Sequence, residues 1–310
     1  MLDPGVSVHH SRPAELESPR ASTLADLFFS QGDRRLRAAW RLAIQSLLLL
    51  VLTILLLVLF FWVGTSLGIR AGIPLLLEIQ ASTTLGVTLS IYLARRWLDR
   101  RSFVSLGLEA DRRGLNDFLF GVALLGALAA GEALVGWSLG WFSFETPAWR
   151  VQSPSSVFTA ILASLLALAT VAWTEELLFR GYYLQNISQG WSLTSAVILT
   201  ALLFPLVHPN LTVLDYLHLV LAGLLLAYAY VRTRRLWLPI GLHLGWNFVG
   251  VSVFGVAGSL PFDIGLGPLF PHTSHAPLVG GLVSGSSLAA FLVLGLAAVS
   301  VFLYTRNREA

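Results

Sequence analysis

Residues 156–180 read SVFTAILASLLALATVAWTEELLFR, an apolar run that ends in two adjacent carboxylates and an arginine. A run of about 20 apolar residues is long enough to cross a bilayer as a helix. Charged side chains inside such a helix are costly, so Glu175, Glu176 and Arg180 need a reason to be there. On a helix, Glu176 and Arg180 share a face and can neutralise each other, whereas Glu175 points about 100° away. Glu175 is therefore left to face another part of the chain.

The composition is that of a polytopic membrane protein. Of the 310 residues, 55% are hydrophobic and 12% are charged, whereas about 25% of the residues in soluble domains are charged. The chain has no cysteine, which excludes disulfides and thiolate catalysis. Arginines cluster near the ends of apolar runs and not on one face, so we expect the lipid bilayer as a partner and no nucleic acid.

Eight apolar segments are predicted to cross the membrane. They are Leu42–Gly64, Ile73–Ala94, Asn116–Phe142, Ser156–Phe179, Ser192–Val207, Leu214–Val231, Leu238–Ala257 and Ser287–Tyr304. An even number of crossings places both termini on one side, and the arginine-rich ends identify that side as cytoplasmic. The prediction is an all-α, multi-pass integral protein of the plasma membrane. Residues 1–35 would be a flexible polar tail, and residues 36–310 would be the helical membrane domain.

Two later apolar segments carry polar residues at a four-residue step. Phe204 and His208 form one such pair, and His243 and Asn247 form the other. This step places both members of a pair on one helix face. A histidine at the end of a span is commonly an interfacial side chain, and a buried polar pair is commonly an interhelical hydrogen bond. Each motif taken alone therefore also fits polar helix packing.

Peptide hydrolysis without a covalent intermediate needs a base for water and either donors or a metal for the oxyanion. Glu175 is the candidate base. Glu175, His208 and His243 would also make a three-ligand zinc site with an open position. A carboxylate that ligates zinc is not a free base, so the sequence leaves both arrangements open and slightly favours the metal-free one.

The three motifs occur in order on three successive membrane segments, and this ordered set resembles the CPBP family of CAAX prenyl endopeptidases and bacteriocin-processing (Abi) enzymes. The surrounding words EELLFRGY at 175–182 and LWLPIGLHLGWNF at 236–248 are also similar to that family. The resemblance covers residues 156–256 approximately, which would be the protease core of the membrane domain.

The resemblance implies an all-helical intramembrane endopeptidase. By position, its site residues would be Glu175, Glu176, Arg180, His208, His243 and Asn247. Glu175 would activate water, Glu176 and Arg180 would support it, and the other three would complete the site. The implied substrates are membrane-associated peptides or proteins, including prenylated CAAX-type substrates. Zinc is a possible cofactor, and no other cofactor is implied.

Two other functions fit the polar residues. A non-catalytic scaffold or immunity protein would keep them for packing or partner binding, and a proton-coupled transporter would use them as a relay. A transporter of this kind is expected to contain related halves, and none is evident in the sequence.

The predicted span boundaries conflict with a single site. At 1.5 Å per residue, Glu175 falls near the cytoplasmic end of its span and His208 toward the opposite end of the next one. Convergence of the two side chains requires that the fourth helix projects beyond the membrane or that the fifth is displaced.

Overall fold

The computed structural model describes residues 25–30, 35–68, 75–208, 212–255, 269–274 and 288–307. Eleven α-helices are found in this part of the chain: α1 Ala25–Phe28, α2 Ala38–Ser66, α3 Leu75–Leu93, α4 Arg112–Ser138, α5 Ala148–Val151, α6 Pro154–Glu176, α7 Leu184–Gly190, α8 Leu193–Leu203, α9 Val213–Thr233, α10 Trp237–Asn247 and α11 Leu288–Thr305. Most of the predicted N-terminal tail (1–24 and 31–34) lies outside the described residues.

Shorter helical and extended segments complete these elements. Three π-helical segments follow α3, α6 and α10, at Ala94–Leu98, Leu177–Tyr183 and Phe248–Val253, and 3₁₀ turns lie at Val104–Leu106 and Phe204–Val207. Strand β1 (Phe142–Phe144) pairs antiparallel with β2 (His272–Ser274), with Ser143 opposite Thr273. This small sheet follows α4, at the end of the molecule where α6 begins.

The prediction of an all-α membrane protein is confirmed. Within the described residues, five continuous helices are long and apolar enough to span a bilayer: Ala38–Ser66, Leu75–Leu98, Arg112–Ser138, Pro154–Gly190 and Val213–Thr233. Two further apolar helices, Leu193–Val207 and Ala289–Thr305, are shorter. The seventh predicted segment is α10 with its π-helical continuation. The count of eight spans and the cytoplasmic location of the termini stay predictions.

The fourth helix extends beyond the apolar segment that was predicted to end at Phe179, which agrees with the projecting helix that convergence of the site requires. The helix begins at Pro154, where the Ser153 side chain caps it by accepting the Ser156 N–H. It then continues through the π segment into α7 and ends at Gly190. The extension is stable because its polar side chains find partners: Gln189, for example, accepts a hydrogen bond from Arg41 of α2 at 3.2 Å. Hydropathy marks where the apolar run stops, not where the helix stops.

Helix α8 returns alongside this long helix after a two-residue turn. Ser192 caps α8 by accepting the Ser195 N–H at 3.0 Å. Glu175 lies fifteen residues before Gly190, and His208 lies fifteen residues after Leu193. At about 1.5 Å per residue, both are roughly 22 Å from the turn. The two arms of this hairpin therefore bring Glu175 and His208 to the same level.

Helix α10 packs directly on the backbone of α4. A Cβ atom at Gly241 would overlap the Phe118 carbonyl, and one at Gly245 would overlap the Val122 carbonyl. Close backbone approach through small residues is typical of membrane helix pairs. This contact fixes the position of His243, which lies between the two glycines in the sequence.

Candidate active site

Glu176 and Arg180 form the buried ion pair that their spacing predicts. The Arg180 NH1 group donates to Glu176 Oε1 at 2.8 Å, and neither side chain is exposed. The Arg180 NH2 group donates to the Gly223 carbonyl of α9 at 3.1 Å. The guanidinium thus joins α6 to α9 and neutralises one of the two adjacent carboxylates.

His243 forms a hydrogen bond with the same Glu176 carboxylate. Its Nδ1 atom lies 2.9 Å from Glu176 Oε1. An ionised carboxylate only accepts hydrogen bonds, so Nδ1 carries the proton and donates. The Nε2 atom of His243 is thereby turned toward Glu175, from which it is separated by 3.9 Å.

His208 is oriented in the same way by a backbone group. Its Nδ1 atom lies 3.2 Å from the Phe204 carbonyl oxygen. A carbonyl only accepts, so Nδ1 again donates, and Nε2 is left to face Glu175. The distance from His208 Nε2 to Glu175 Oε2 is 3.9 Å, and the histidine side chain is 24% exposed.

Both imidazoles face the carboxylate of Glu175. Its Oε2 atom is 3.9 Å from both Nε2 atoms. That atom is buried and has no hydrogen-bond partner among the described residues. A separation of 3.9 Å is too long for a direct hydrogen bond, and polar contacts of this length can be mediated by water.

Asn247 lies one helical turn after His243 at the end of α10 and is half-buried. In the described part of the chain its amide makes no hydrogen bond, so the structure places it near the site by helix register and not by a contact. Of the six predicted site residues, the other five are joined by the contacts above.

Sequence patterns did not identify Gly223 as a site residue. Gly223 supplies the carbonyl that holds Arg180, and it packs against the Ala201 backbone. A backbone carbonyl has no sequence signature.

The predicted zinc ligands are more widely spaced than zinc requires. Ligand atoms about 2.0–2.2 Å from one tetrahedral zinc are about 3.3–3.5 Å from each other, whereas Glu175 Oε2 is 3.9 Å from each imidazole. Within the described ranges, no group of three or more His, Asp or Glu side chains is arranged to hold a metal ion. The side chains as placed do not fit zinc. Metal binding by Glu175, His208 and His243 stays a prediction.

The fold and the cluster together define an integral membrane protein with a buried carboxylate–imidazole site. A family model described as Type II CAAX prenyl endopeptidase Rce1-like matches residues 157–249, a segment that contains all six predicted site residues. This match supports the assignment of residues 157–249 to the CPBP family of CAAX-type membrane proteases that the motifs predicted. No curated protein and no solved structure matched the chain.

Proposed function

We propose that this protein cleaves a peptide bond of a membrane-associated substrate with a water molecule activated by Glu175. The observation that carries the proposal is the position of Glu175 Oε2, which lacks a hydrogen-bond partner among the described residues and lies 3.9 Å from Nε2 of both His208 and His243. A general base must lie within hydrogen-bond reach of the proton that it removes.

In this proposal the water donates one hydrogen to Glu175 Oε2 and the other to His208 Nε2. A lone pair of the water oxygen is then directed at the substrate carbonyl carbon. As the oxygen attacks, its proton passes to Glu175, and the carbonyl oxygen becomes an oxyanion. The C–N bond breaks when Glu175 returns the proton to the leaving amine, which yields a carboxylic acid and an amine.

His243 and Asn247 are the proposed donors to the oxyanion. Glu176 holds the Nδ1–H of His243, and in its doubly protonated form His243 can donate from Nε2. Preorganised donors directed at a developing oxyanion are commonly worth about 10²–10³ in rate. Arg180 neutralises Glu176, so the charge of the cluster is concentrated on Glu175.

The proposed substrates are prenylated CAAX-type peptides or proteins, and the proposed location is the plasma membrane. The family match supports a CAAX-type protease. Helices of the site expose apolar side chains elsewhere on their surface, such as Leu162 and Leu166 of α6, and these side chains would face lipid. A substrate anchored by a lipid chain would reach such a site from the bilayer.

The test uses the purified full chain in lipid vesicles and a farnesylated CAAX peptide, with the released tripeptide detected by mass spectrometry. We expect cleavage by the wild type, a loss of about 10²–10⁴ in kcat for Glu175→Gln, and little change for Glu78→Gln. Glu78 is a suitable control because it is also a buried glutamate, in the first turn of α3. Equal cleavage by Glu175→Gln and wild type would falsify the assignment of the base.

Two further experiments test whether the lipid anchor is recognised and whether a metal is needed. The same peptide without its farnesyl group should be cleaved more slowly if the lipid anchor delivers the substrate. A chelator such as 1,10-phenanthroline should leave the rate unchanged, because the proposed steps use only protein side chains. Inhibition that zinc reverses would contradict the metal-free mechanism.

A further inference from the structure

The ring of Phe204 is in contact with three of the six candidate site residues: Arg180, His208 and His243. Phe204 begins the 3₁₀ turn after α8 and is 2% exposed. The Arg180 guanidinium lies over the face of this ring, 4.6 Å from its centroid. The His208 and His243 rings contact it at steep angles, with centroids 5.2 and 6.0 Å away.

The backbone of the same residue orients one of these histidines. The Phe204 carbonyl receives the Nδ1–H of His208 at 3.2 Å. The Glu176 carboxylate orients His243 in the same way, by accepting its Nδ1–H. Both imidazoles consequently present Nε2 to one oxygen of Glu175.

The placement of Arg180 on the ring face has an electrostatic consequence. The face of an aromatic ring is negative, and a desolvated cation over it is stabilised by that charge. The same guanidinium shares Glu176 Oε1 with the Nδ1–H of His243, so the ring and the carboxylate together fix its position beside that imidazole.

We propose that Phe204 is a positioning residue: it seats Arg180 on its face and packs against both imidazoles, so that their Nε2 atoms converge on Glu175. The inference rests on the proposed function and assigns to that site a residue that contains no titratable group. Phe204 touches no reacting atom in this scheme and acts through the side chains that do.

Phe179 provides a matched control. It is also 2% exposed, its ring is 5.4 Å from the Phe204 ring, and it lies 5.9 Å from the Arg180 guanidinium. Among the described residues, it makes no ring contact with either histidine. Phe204→Leu should lower kcat by about 30-fold or more with little change in KM, whereas Phe179→Leu should lower kcat less than about threefold for a comparable loss of melting temperature.

A sharper test replaces each phenylalanine in turn by mono-, di- and trifluorophenylalanine. Fluorine weakens the negative face of the ring and changes its size very little. At position 204 we expect kcat to fall stepwise, by about tenfold over the series. At position 179 it should fall much less, because the Arg180 guanidinium is 5.9 Å from that ring and 4.6 Å from the Phe204 ring. Rates are measured well below the melting temperature of each variant.

A second readout does not depend on cleavage. Diethyl pyrocarbonate modifies the accessible His208, and its rate of modification, followed by mass spectrometry, should change along the series at position 204 only. If the wild type cleaves no peptide but this rate still changes, the proposed function fails and the positioning role stands. If neither kcat nor the modification rate responds to fluorine at position 204, Phe204 only fills the core and the proposal is wrong.

Discussion

Glu175 Oε2 lies 3.9 Å from His208 Nε2 because the two residues are equally far from the turn that joins their helices. Glu175 is fifteen residues before Gly190, and His208 is fifteen residues after Leu193. The pairing depends on a helix that does not end with its apolar run but continues to Gly190. The length of the two arms of this hairpin therefore sets the geometry of the candidate site.

The buried ion pair gives a prediction about stability. Arg180→Met leaves the Glu176 carboxylate buried without its cation, so we expect the free energy of unfolding to fall by about 3–5 kcal/mol. The double variant Glu176→Gln with Arg180→Met removes both charges and should recover most of that loss. Unfolding in detergent measures both effects. A double variant as unstable as Arg180→Met alone would show that charge burial is not the cause.

The contact between α4 and α10 predicts that alanine substitutions at two glycines change the stability of the protein by different amounts. Gly241→Ala should destabilise the protein by about 1–3 kcal/mol, because the added methyl group overlaps the Phe118 backbone. Gly131→Ala is the control: nothing lies within 4 Å of a Cβ at that position of α4. There we expect no loss, or a gain of up to about 1 kcal/mol. Similar losses in both variants, measured by thermal unfolding, would contradict this packing.

The arginine distribution predicts the orientation in the membrane. Since the chain has no cysteine, single-cysteine variants can be labelled without a background. Two exposed serines are suitable positions for the cysteine. Ser102 lies in the arginine-rich connection before α4, and Ser153 lies at the start of α6. An impermeant maleimide applied to intact cells should label Ser153→Cys, and should label Ser102→Cys only after permeabilisation. The opposite pattern would place the termini outside.

A pH-dependent contribution is expected at the start of α4, where Asp111 is the capping residue. The N–H of Gly114, together with Arg235, holds the pKa of the exposed Asp111 below its usual value. A depressed pKa means that this carboxylate stabilises the fold above its ordinary pKa of about 3.9 and that the effect is lost as the pH falls through the lowered value. Asp111→Asn should therefore lower the melting temperature at pH 7, with the difference shrinking below about pH 4. A difference that is independent of pH would contradict this origin.

Much of the fold and site could be predicted because hydropathy and the four-residue step are local signals. The Glu176–Arg180 pair needed only helix periodicity, and the ordered set of motifs was recognised by its resemblance to the CPBP family. The end of the long helix at Gly190 was missed because it depends on distant partners such as Arg41. The Gly223 carbonyl was missed because a backbone group leaves no trace in the sequence. The relation of Asn247 to the other site residues still rests on its helix register alone.

The central claim is that Glu175 and His208 act on one water molecule, and a double-mutant cycle tests it most directly. Single-turnover rates are measured for the wild type, Glu175→Gln, His208→Ala and the double variant with the same prenylated peptide. Each single variant should lose about 10²–10⁴ in rate. If both side chains serve one water, the double variant should be no more than about tenfold slower than the worse single variant. Losses that multiply in the double variant would mean that the two side chains act independently, and the account would be wrong.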